Sequence, residues 1–316
     1  MEEVTRHIRT CPFCEATCGL EIEMEGREVL TVRGDTEDVF SGGFLCPKAT
    51  GIKSLYEDPD RLRTPLVRRG GELAEASFDE AFALIDEKIA PILAEHGRDA
   101  VAAYLGNPNA HNLSGLVYLP AMLKALGSKN VFSASTVDQM PKQVAAAHMF
   151  GGGLTIPVPD LDRTEHLLVL GANPLVSNGS LMTAPDARGR IRGIRERGGK
   201  VVVLDPRRSR TAEHADEHHF IRPGTDALLL FALVHVLFEE DLASPGEHLA
   251  GVEEVRTLAK GFAPEAVSTT CGIEAGEIRR MARELAKAER AAVYARVGTT
   301  TQEFGTHASW LVDVVN

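Results

Sequence analysis

Four cysteines fall in one N-terminal segment with the spacing C-x2-C-x3-C-x27-C. Three lie in Cys11-Pro12-Phe13-Cys14-Glu15-Ala16-Thr17-Cys18-Gly19, and Cys46 precedes Pro47-Lys48. Four thiolates are what a cubane iron–sulfur cluster needs, one per iron, and a tight three-cysteine loop with a distant fourth is a common way to supply them. Structural zinc also takes four thiolates, but its sites usually present two short ligand pairs. Once Cys11 and Cys14 are paired, neither Cys18 nor Cys46 starts a second pair of its own. Disulfides need an oxidising compartment, and the opening Met1-Glu2-Glu3-Val4-Thr5-Arg6-His7 has neither an apolar signal core nor a twin arginine. The spacing therefore favours a [4Fe–4S] cluster over zinc, both over disulfides, and a cytoplasmic protein. Lys48, read alone, is a solvated surface lysine.

A second set of chemically suggestive residues recurs at the ends of short apolar runs. Val101 to Leu105 leads into Gly106-Asn107-Pro108-Asn109-Ala110-His111, and Asn130 to Phe132 into Ser135-Thr136-Val137-Asp138-Gln139. Leu167 to Leu170 leads into Gly171-Ala172-Asn173-Pro174, and Lys200 to Leu204 into Asp205-Pro206-Arg207-Arg208. Phe220 to Asp226 includes Arg222-Pro223-Gly224-Thr225-Asp226, and Ala292 to Ala295 runs into Arg296-Val297-Gly298-Thr299-Thr300-Thr301. Ligands of open α/β sheets bind outside the carboxyl ends of the strands, where freed backbone amides and helix N-termini favour phosphate. Asp205 or Asp226 suits ribose hydroxyls or a purine edge. Each turn alone is ordinary loop chemistry; together they point to a large phosphate-bearing cofactor. The G-x-G-x-x-G fingerprint is absent, which argues against plain nicotinamide dinucleotide binding.

The elements that must position these residues are legible in outline. Leu20 to Glu25 and Val29 to Val32 predict a β-hairpin beside the cysteine loop. Tyr56 to Thr64 is a Pro- and charge-rich connector. Ser77-x-x-Glu80 is a capping box opening a helix with Phe78, Ala81, Phe82, Ile85, Ile89, Ile92 and Leu93 on one face, in which Pro91 should introduce a kink or an early end. Further helices are expected over about 112–126, 141–150, 184–197, 226–240 and 277–289, the last with Ile278, Met281, Ala282 and Leu285 inward. Alternating strands and helices with short apolar strands imply parallel sheets covered on both faces. The fold class is α/β: a small β-rich N-terminal cluster domain (1–58), a first α/β segment (59–132) expected to be completed by residues beyond this fragment, and a doubly wound, mostly parallel Rossmann-like domain (133–316).

Composition narrows the partners. The 316 residues carry a net charge of −11 and no dense basic tract, which excludes nucleic acid as the expected partner. No run approaches the ~18 apolar residues of a membrane span. The chain stops in the amphipathic run Leu311-Val312-Asp313-Val314-Val315-Asn316, which reads as a truncated chain.

In order along the chain, the four cysteines, Lys48, Leu105 to His111, Leu170 to Pro174, Val203 to Thr211 and Arg222 to Leu228 resemble the N-terminal portion of the molybdopterin oxidoreductase superfamily, the bis-molybdopterin guanine dinucleotide enzymes such as formate dehydrogenases, nitrate reductases and dimethyl sulfoxide reductases. The resemblance implies that Cys11, Cys14, Cys18 and Cys46 ligate a [4Fe–4S] cluster and that Lys48 lies between cluster and pterin. It implies that Gly106, Asn107, Asn109, Gly171, Asn173 and Pro174 line a pterin cofactor, with Asp205, Arg207, Gly224, Thr225 and Asp226 near its guanosine end. It also implies molybdenum or tungsten held by two such cofactors, a small-molecule substrate and a redox partner protein or subunit.

The protein ligand to that metal is where this sequence departs from the formate dehydrogenase pattern. It should fall in Ser135 to Gln139, which holds no cysteine. Asp138 is the best candidate, a hard oxygen donor suited to a high-valent metal, with Thr136 and Ser135 behind it and a plain helix N-cap as the alternative. Cys271 reads as a buried thiol. The leading expectation is a molybdenum- or tungsten-pterin oxidoreductase. Its alternatives are a pterin-free electron-transfer or scaffold subunit and a zinc-stabilised binding module.

Overall fold

The computed structural model describes residues 3–182 and 184–316. The chain divides into two compact units, Met1–Ala134 and Ser135–Asn316.

The first unit opens with an antiparallel sheet of β1 (Val4–Thr10), β2 (Gly19–Glu25) and β3 (Glu28–Gly34) in the order β1-β2-β3. The hairpin expected from the alternation of Leu20 to Glu25 is β2 and β3, paired from Leu20↔Gly34 to Glu25↔Glu28. β1, which the alternation of a short polar N-terminus concealed, leads straight into the cysteine loop. Beneath it a small core gathers Cys11, Ala16, Cys18, Leu20 and Ala49. A second hairpin, β4 (Leu66–Arg69) with β5 (Glu72–Glu75), follows the connector. Helix Phe78–His96 is capped by Ser77, whose hydroxyl accepts from the Glu80 amide. The helix passes through Pro91 without ending there, contrary to the early end allowed for above. The bond that proline deletes belongs to the carbonyl of Glu87, an exposed residue, so the loss falls on the solvent side of the helix, where it costs least. Its apolar stripe is open to solvent: Phe78, Phe82 and Ile85 are exposed. β6 (Ala103–Leu105) and β7 (Val131–Ser133) form a parallel pair flanking helix Leu113–Leu126, which Asn112 caps.

The second unit carries the larger core. β8 (His166–Leu170), β9 (Lys200–Leu204), β10 (Glu217–His219) and β11 (Ala291–Ala295) form an all-parallel sheet in the order β10-β9-β8-β11. Alternate residues of the strands feed opposite faces. Leu168, Leu170, Val202 and Leu204 pack with helices Asp226–Glu239, Ala275–Lys287 and Gly305–Val315. Leu167, Val169, Val201 and Val203 pack with Met182, helix Ala187–Glu196 and Ala212. Burial on both faces is why these strands are continuous apolar runs. Ile278, Met281, Ala282 and Leu285 face inward as expected. In sequence order the sheet reads third, second, first, fourth, the doubly wound pattern whose winding reverses between β8 and β11.

Candidate functional site

The cysteine loop is shaped by its backbone. The Cys11 amide donates to the Cys18 carbonyl at 2.8 Å, closing the loop, and the Thr17 amide donates to the Cys14 carbonyl at 3.1 Å. Thr17 turns the chain at φ +45°, a left-handed conformation that a non-glycine residue adopts only when the surroundings hold it there. Cys46 comes back to the loop at the start of the single-turn helix Pro47–Thr50. Cys11, Cys18 and Cys46 are buried, Cys14 is half-buried, and none of the five cysteines, all among the described residues, is in a disulfide. Burial pushes the Cys11 thiol up; Cys14 and Cys46 add to this and Lys48 opposes it, so these four groups lie within electrostatic reach of one another. Among the described residues no three of the cysteine sulfurs lie within 4.8 Å of one another. A zinc tetrahedron with ~2.3 Å bonds needs edges of ~3.8 Å, whereas a cubane takes each thiolate on a different iron. The residues fit the cluster better than the single ion.

The second site lies in the second unit. At the carboxyl edge of its sheet, between β8 and β11, is a cavity of about 710 Å³. This is the switch point of the winding, where open α/β sheets bind their ligands. Gly171 follows β8 at φ +53°, and a Cβ there would stand 2.9 Å from the Gly298 backbone. A Cβ on Gly298 would stand 2.7 Å from Gly171 Cα. The Gly298 amide donates to the Gly171 carbonyl at 3.0 Å. Two glycines are required because two backbones cross here at contact. Asn173 Oδ1 accepts from Thr211 Oγ1 at 2.8 Å, tying the end of β8 to the helix that follows β9. Asp205 Oδ1 accepts from the Arg207 amide at 2.8 Å. Asp226 begins helix Asp226–Glu239 and accepts from Gln302 Nε2 at 2.9 Å.

Of the residues expected at the cofactor, Gly171, Asn173, Pro174, Asp205, Gly224 and Asp226 line this cavity together. Arg207 is exposed and outside the lining. Thr225 is buried and spends its hydroxyl on the Arg222 carbonyl at 2.7 Å. Gly106, Asn107 and Asn109 belong to the first unit, where Asn107 Nδ2 donates to the Phe13 carbonyl at 2.7 Å. Sequence reasoning missed Ser177 and Gly179, took Tyr294 only as part of a strand, and named the turn after β11 only as far as Thr301, so Gln302 also escaped it. The polar run after an apolar strand was the available signal, and it continues one residue further than it was read.

Asp226 has the most informative electrostatics. Burial pushes its carboxyl up to about 6, its own amide and Gln302 pull the other way, and the charge of Asp205 adds to the rise. A carboxyl that titrates higher folded than unfolded favours folding below pH ~4 and withdraws that support as pH rises through ~6. Asp226→Asn should therefore stabilise the cofactor-free protein by about 2–3 kcal/mol at pH 8 and by little at pH 4. Urea unfolding at the two pH values checks this, and a variant no more stable than the parent at pH 8 contradicts it.

Asp138 ends the short helix Ser135–Asp138. It does not cap helix Met140–Phe150, whose N-cap is Gln139 with no side-chain bond. Its Oδ1 is buried without a hydrogen-bond partner, as is Gln302 Oε1 beside the cavity. Buried acceptors left unpaired by the protein are what a bound group would satisfy. Cys271 closes helix Pro264–Cys271 and is fully buried, with Sγ toward the Ser268 and Ile273 carbonyls. One further grouping, Glu217, His219 and Glu277, lies within 4.8 Å, but Arg280 and Lys200 already supply its positive charge.

Four cysteines gathered beside the N-terminal sheet and a switch-point cavity with two carboxylates on its wall define an α/β protein with a ligand site at its strand ends. Residues 61–307 match the profile of the molybdopterin oxidoreductase family and residues 9–57 that of the molybdopterin oxidoreductase Fe4S4 domain. The chain belongs to the molybdopterin oxidoreductase family. The cofactors of these two domains are a [4Fe–4S] cluster and a molybdopterin with molybdenum or tungsten. The chain is 29% identical over 304 residues to formate dehydrogenase H of Escherichia coli (strain K12), covering 93% of this chain and 41% of that protein. It is 29% identical over 305 residues to a nitrate reductase of Symbiobacterium thermophilum, covering 90% and 39%. It is 30% identical over 288 residues to the thiosulfate reductase molybdopterin-containing subunit of Salmonella typhimurium, covering 87% and 36%. The structure of acetylene hydratase from Pelobacter acetylenicus shares the fold, with a TM-score of 0.82 at 24% identity over 98% of this chain and 42% of that one. The chain thus spans about two fifths of the length of these relatives. Among the described residues no helix is long and apolar enough to cross a membrane.

Proposed function

We propose that this chain is the cluster-binding and first dinucleotide-binding portion of a molybdenum- or tungsten-pterin oxidoreductase, which exchanges electrons between a small substrate and an external acceptor protein or subunit. The observation that carries the reading is the switch-point cavity, with two glycines in backbone contact at its floor and Asp205 and Asp226 on its wall. The cofactor is a bis-molybdopterin guanine dinucleotide. Gly171, Asn173, Pro174 and Gly224 receive its phosphate-bearing part, and the two carboxylates accept from ribose hydroxyls and the guanine edge. Arg207 and Thr225 act behind this wall, Thr225 by fixing the turn through the Arg222 carbonyl. Gly106, Asn107 and Asn109 of the first unit are assigned to cofactor binding on the family resemblance alone.

When bound, the metal–pterin group supplies two-electron redox chemistry, while the protein supplies orientation and electrostatics. Cys11, Cys14, Cys18 and Cys46 hold the cluster, and Lys48, exposed beside them, lies on the electron path toward the pterin. Cysteines that serve as cluster ligands rather than forming disulfides suit a reducing compartment, and we place the protein in the cytoplasm. Names among the relatives that include the word subunit support a redox partner.

Asp138 is the protein's ligand to the metal. Its buried, unpaired Oδ1 supports this role over that of a helix cap. In anaerobically purified, cofactor-loaded protein, Asp138→Ala should change the electron paramagnetic resonance of the metal and leave the cluster signal intact. An unchanged metal signal would remove Asp138 from the role. The pterin-free scaffold reading would gain if the protein carried iron but neither molybdenum, tungsten nor pterin.

A further inference from the structure

We propose that Thr300 is a positioning residue for the metal ligand, its hydroxyl holding the Asp138 turn to the turn after β11 that lines the cofactor cavity. The inference rests on the assignment of Asp138 to the metal. Three consecutive threonines follow β11, and their hydroxyls do different things. Thr299 Oγ1 donates to the Arg296 carbonyl at 2.9 Å and Thr301 Oγ1 to the Val297 carbonyl at 2.9 Å, both within their own turn. Thr300 Oγ1 reaches 162 residues back, to the Asp138 carbonyl at 2.6 Å. Its alternative acceptor, the Val297 carbonyl, is at 3.2 Å. A hydroxyl has one hydrogen to give, and the shorter contact takes the larger share.

The Asp138 turn needs such an anchor. Asp138 ends one short helix just before the next begins at Met140, and Pro141 has no N–H with which to continue the ladder across the junction. Thr300 is 4% exposed, so water does not compete for the bond, and losing the donor would leave a desolvated carbonyl to find another partner. The other end of the bond is equally constrained. Gly298, two residues earlier, is pressed against Gly171, and Val297, Gly298, Thr301 and Gln302 line the cavity. Filling the cavity therefore fixes the same turn that fixes Asp138. The direction in which the unpaired Oδ1 of Asp138 points follows from the cofactor's own binding site.

The test is made on cofactor-loaded protein purified anaerobically, with Thr300→Val, Thr300→Ser, Thr299→Val and Asp138→Ala compared with the parent. Valine keeps the shape of threonine and removes the donor; serine keeps the donor. Thr300→Val should shift the paramagnetic resonance of the metal or split it into more than one species, whereas Thr300→Ser should reproduce the parent. Thr299→Val, equally buried but bonded within its own turn, should also reproduce the parent. The cluster signal and the iron content should be the same in all. A Thr300→Val metal signal identical to the parent, with Asp138→Ala altered, overturns the positioning role and leaves the ligand assignment standing. An unaltered Asp138→Ala signal overturns both. If Thr300→Val does not load cofactor, Thr300→Ala is read by the same criterion, and an equal disturbance in Thr299→Val overturns the specific role of Thr300.

Discussion

Replacing Cys46 by serine should reduce iron from about four atoms per chain to a small residue and abolish the visible absorption of the cluster. Serine offers a harder, far less acidic donor than a thiolate, which iron–sulfur clusters select against. The loss should reach beyond the metal. The core under the N-terminal sheet gathers Cys11, Ala16, Cys18, Leu20 and Ala49, with Phe13, Cys14, Ile22, Val32, Leu45 and Ile52 only partly buried against it. A core this small leaves metal binding to supply much of the local folding free energy. Resonances of β1 to β3 should broaden or shift in Cys46→Ser and remain in place in Cys271→Ser, whose sulfur is enclosed in the other unit by the Ser268 and Ile273 carbonyls. Full iron in Cys46→Ser, or loss of iron in Cys271→Ser, would contradict the ligand set.

Gly298→Ala should be among the most damaging single-atom additions to the second unit. Its Cβ would stand 2.7 Å from Gly171 Cα and 2.8 Å from the Gly171 carbonyl oxygen, both backbone atoms that move only with their strands. A cost of about 2–4 kcal/mol is expected from overpacking of this kind. Gly171→Ala meets the Gly298 backbone at 2.9 Å and adds the left-handed φ of +53°, worth about 1–2 kcal/mol more. Either substitution pushes the β8 and β11 turns apart at the cavity floor, so pterin content should fall with stability. Gly276→Ala is the informative contrast. It lies in helix Ala275–Lys287 with nothing within 4 Å of a Cβ, and it should stabilise by roughly 0.5–1 kcal/mol. Thermal unfolding of the three variants checks the signs, and a Gly298→Ala protein as stable as the parent would contradict the close crossing.

Much of the sheet was legible because burial on both faces leaves a plain mark. Leu167 to Leu170 and Val201 to Leu204 are unbroken apolar runs, and they became β8 and β9. β10 left no such mark. It is Glu217-His218-His219 at the sheet edge, half-buried, and its place beside β9 is set by pairing across sequence rather than by its own composition. β1 was hidden for a related reason: Val4 and Ile8 are exposed, so its alternation buries nothing and gives no hydrophobic signal. The stripe of helix Phe78–His96 is the converse, a clear period of apolar residues that lies open here. Pattern reports that a face is apolar and does not report what covers it.

The candidate site divides along the same line. Gly171, Asn173 and Asp205 could be picked out because polar clusters directly after apolar strands have few other reasons to recur, and Gly224 and Asp226 by the Pro-Gly turn that opens an apolar helix. That they meet at the reversal between β8 and β11 depends on strand order, which no single turn encodes. The bond from Thr300 to Asp138 is less legible still, since it joins one threonine of three to a carbonyl present at every position.

The measurement that bears most directly on the account is a combined metal and pterin analysis of anaerobically purified protein. The account predicts about four iron atoms per chain, molybdenum or tungsten in proportion to a pterin released as its guanine dinucleotide, and no stoichiometric zinc. A colourless protein with one zinc ion per chain and no pterin would contradict it.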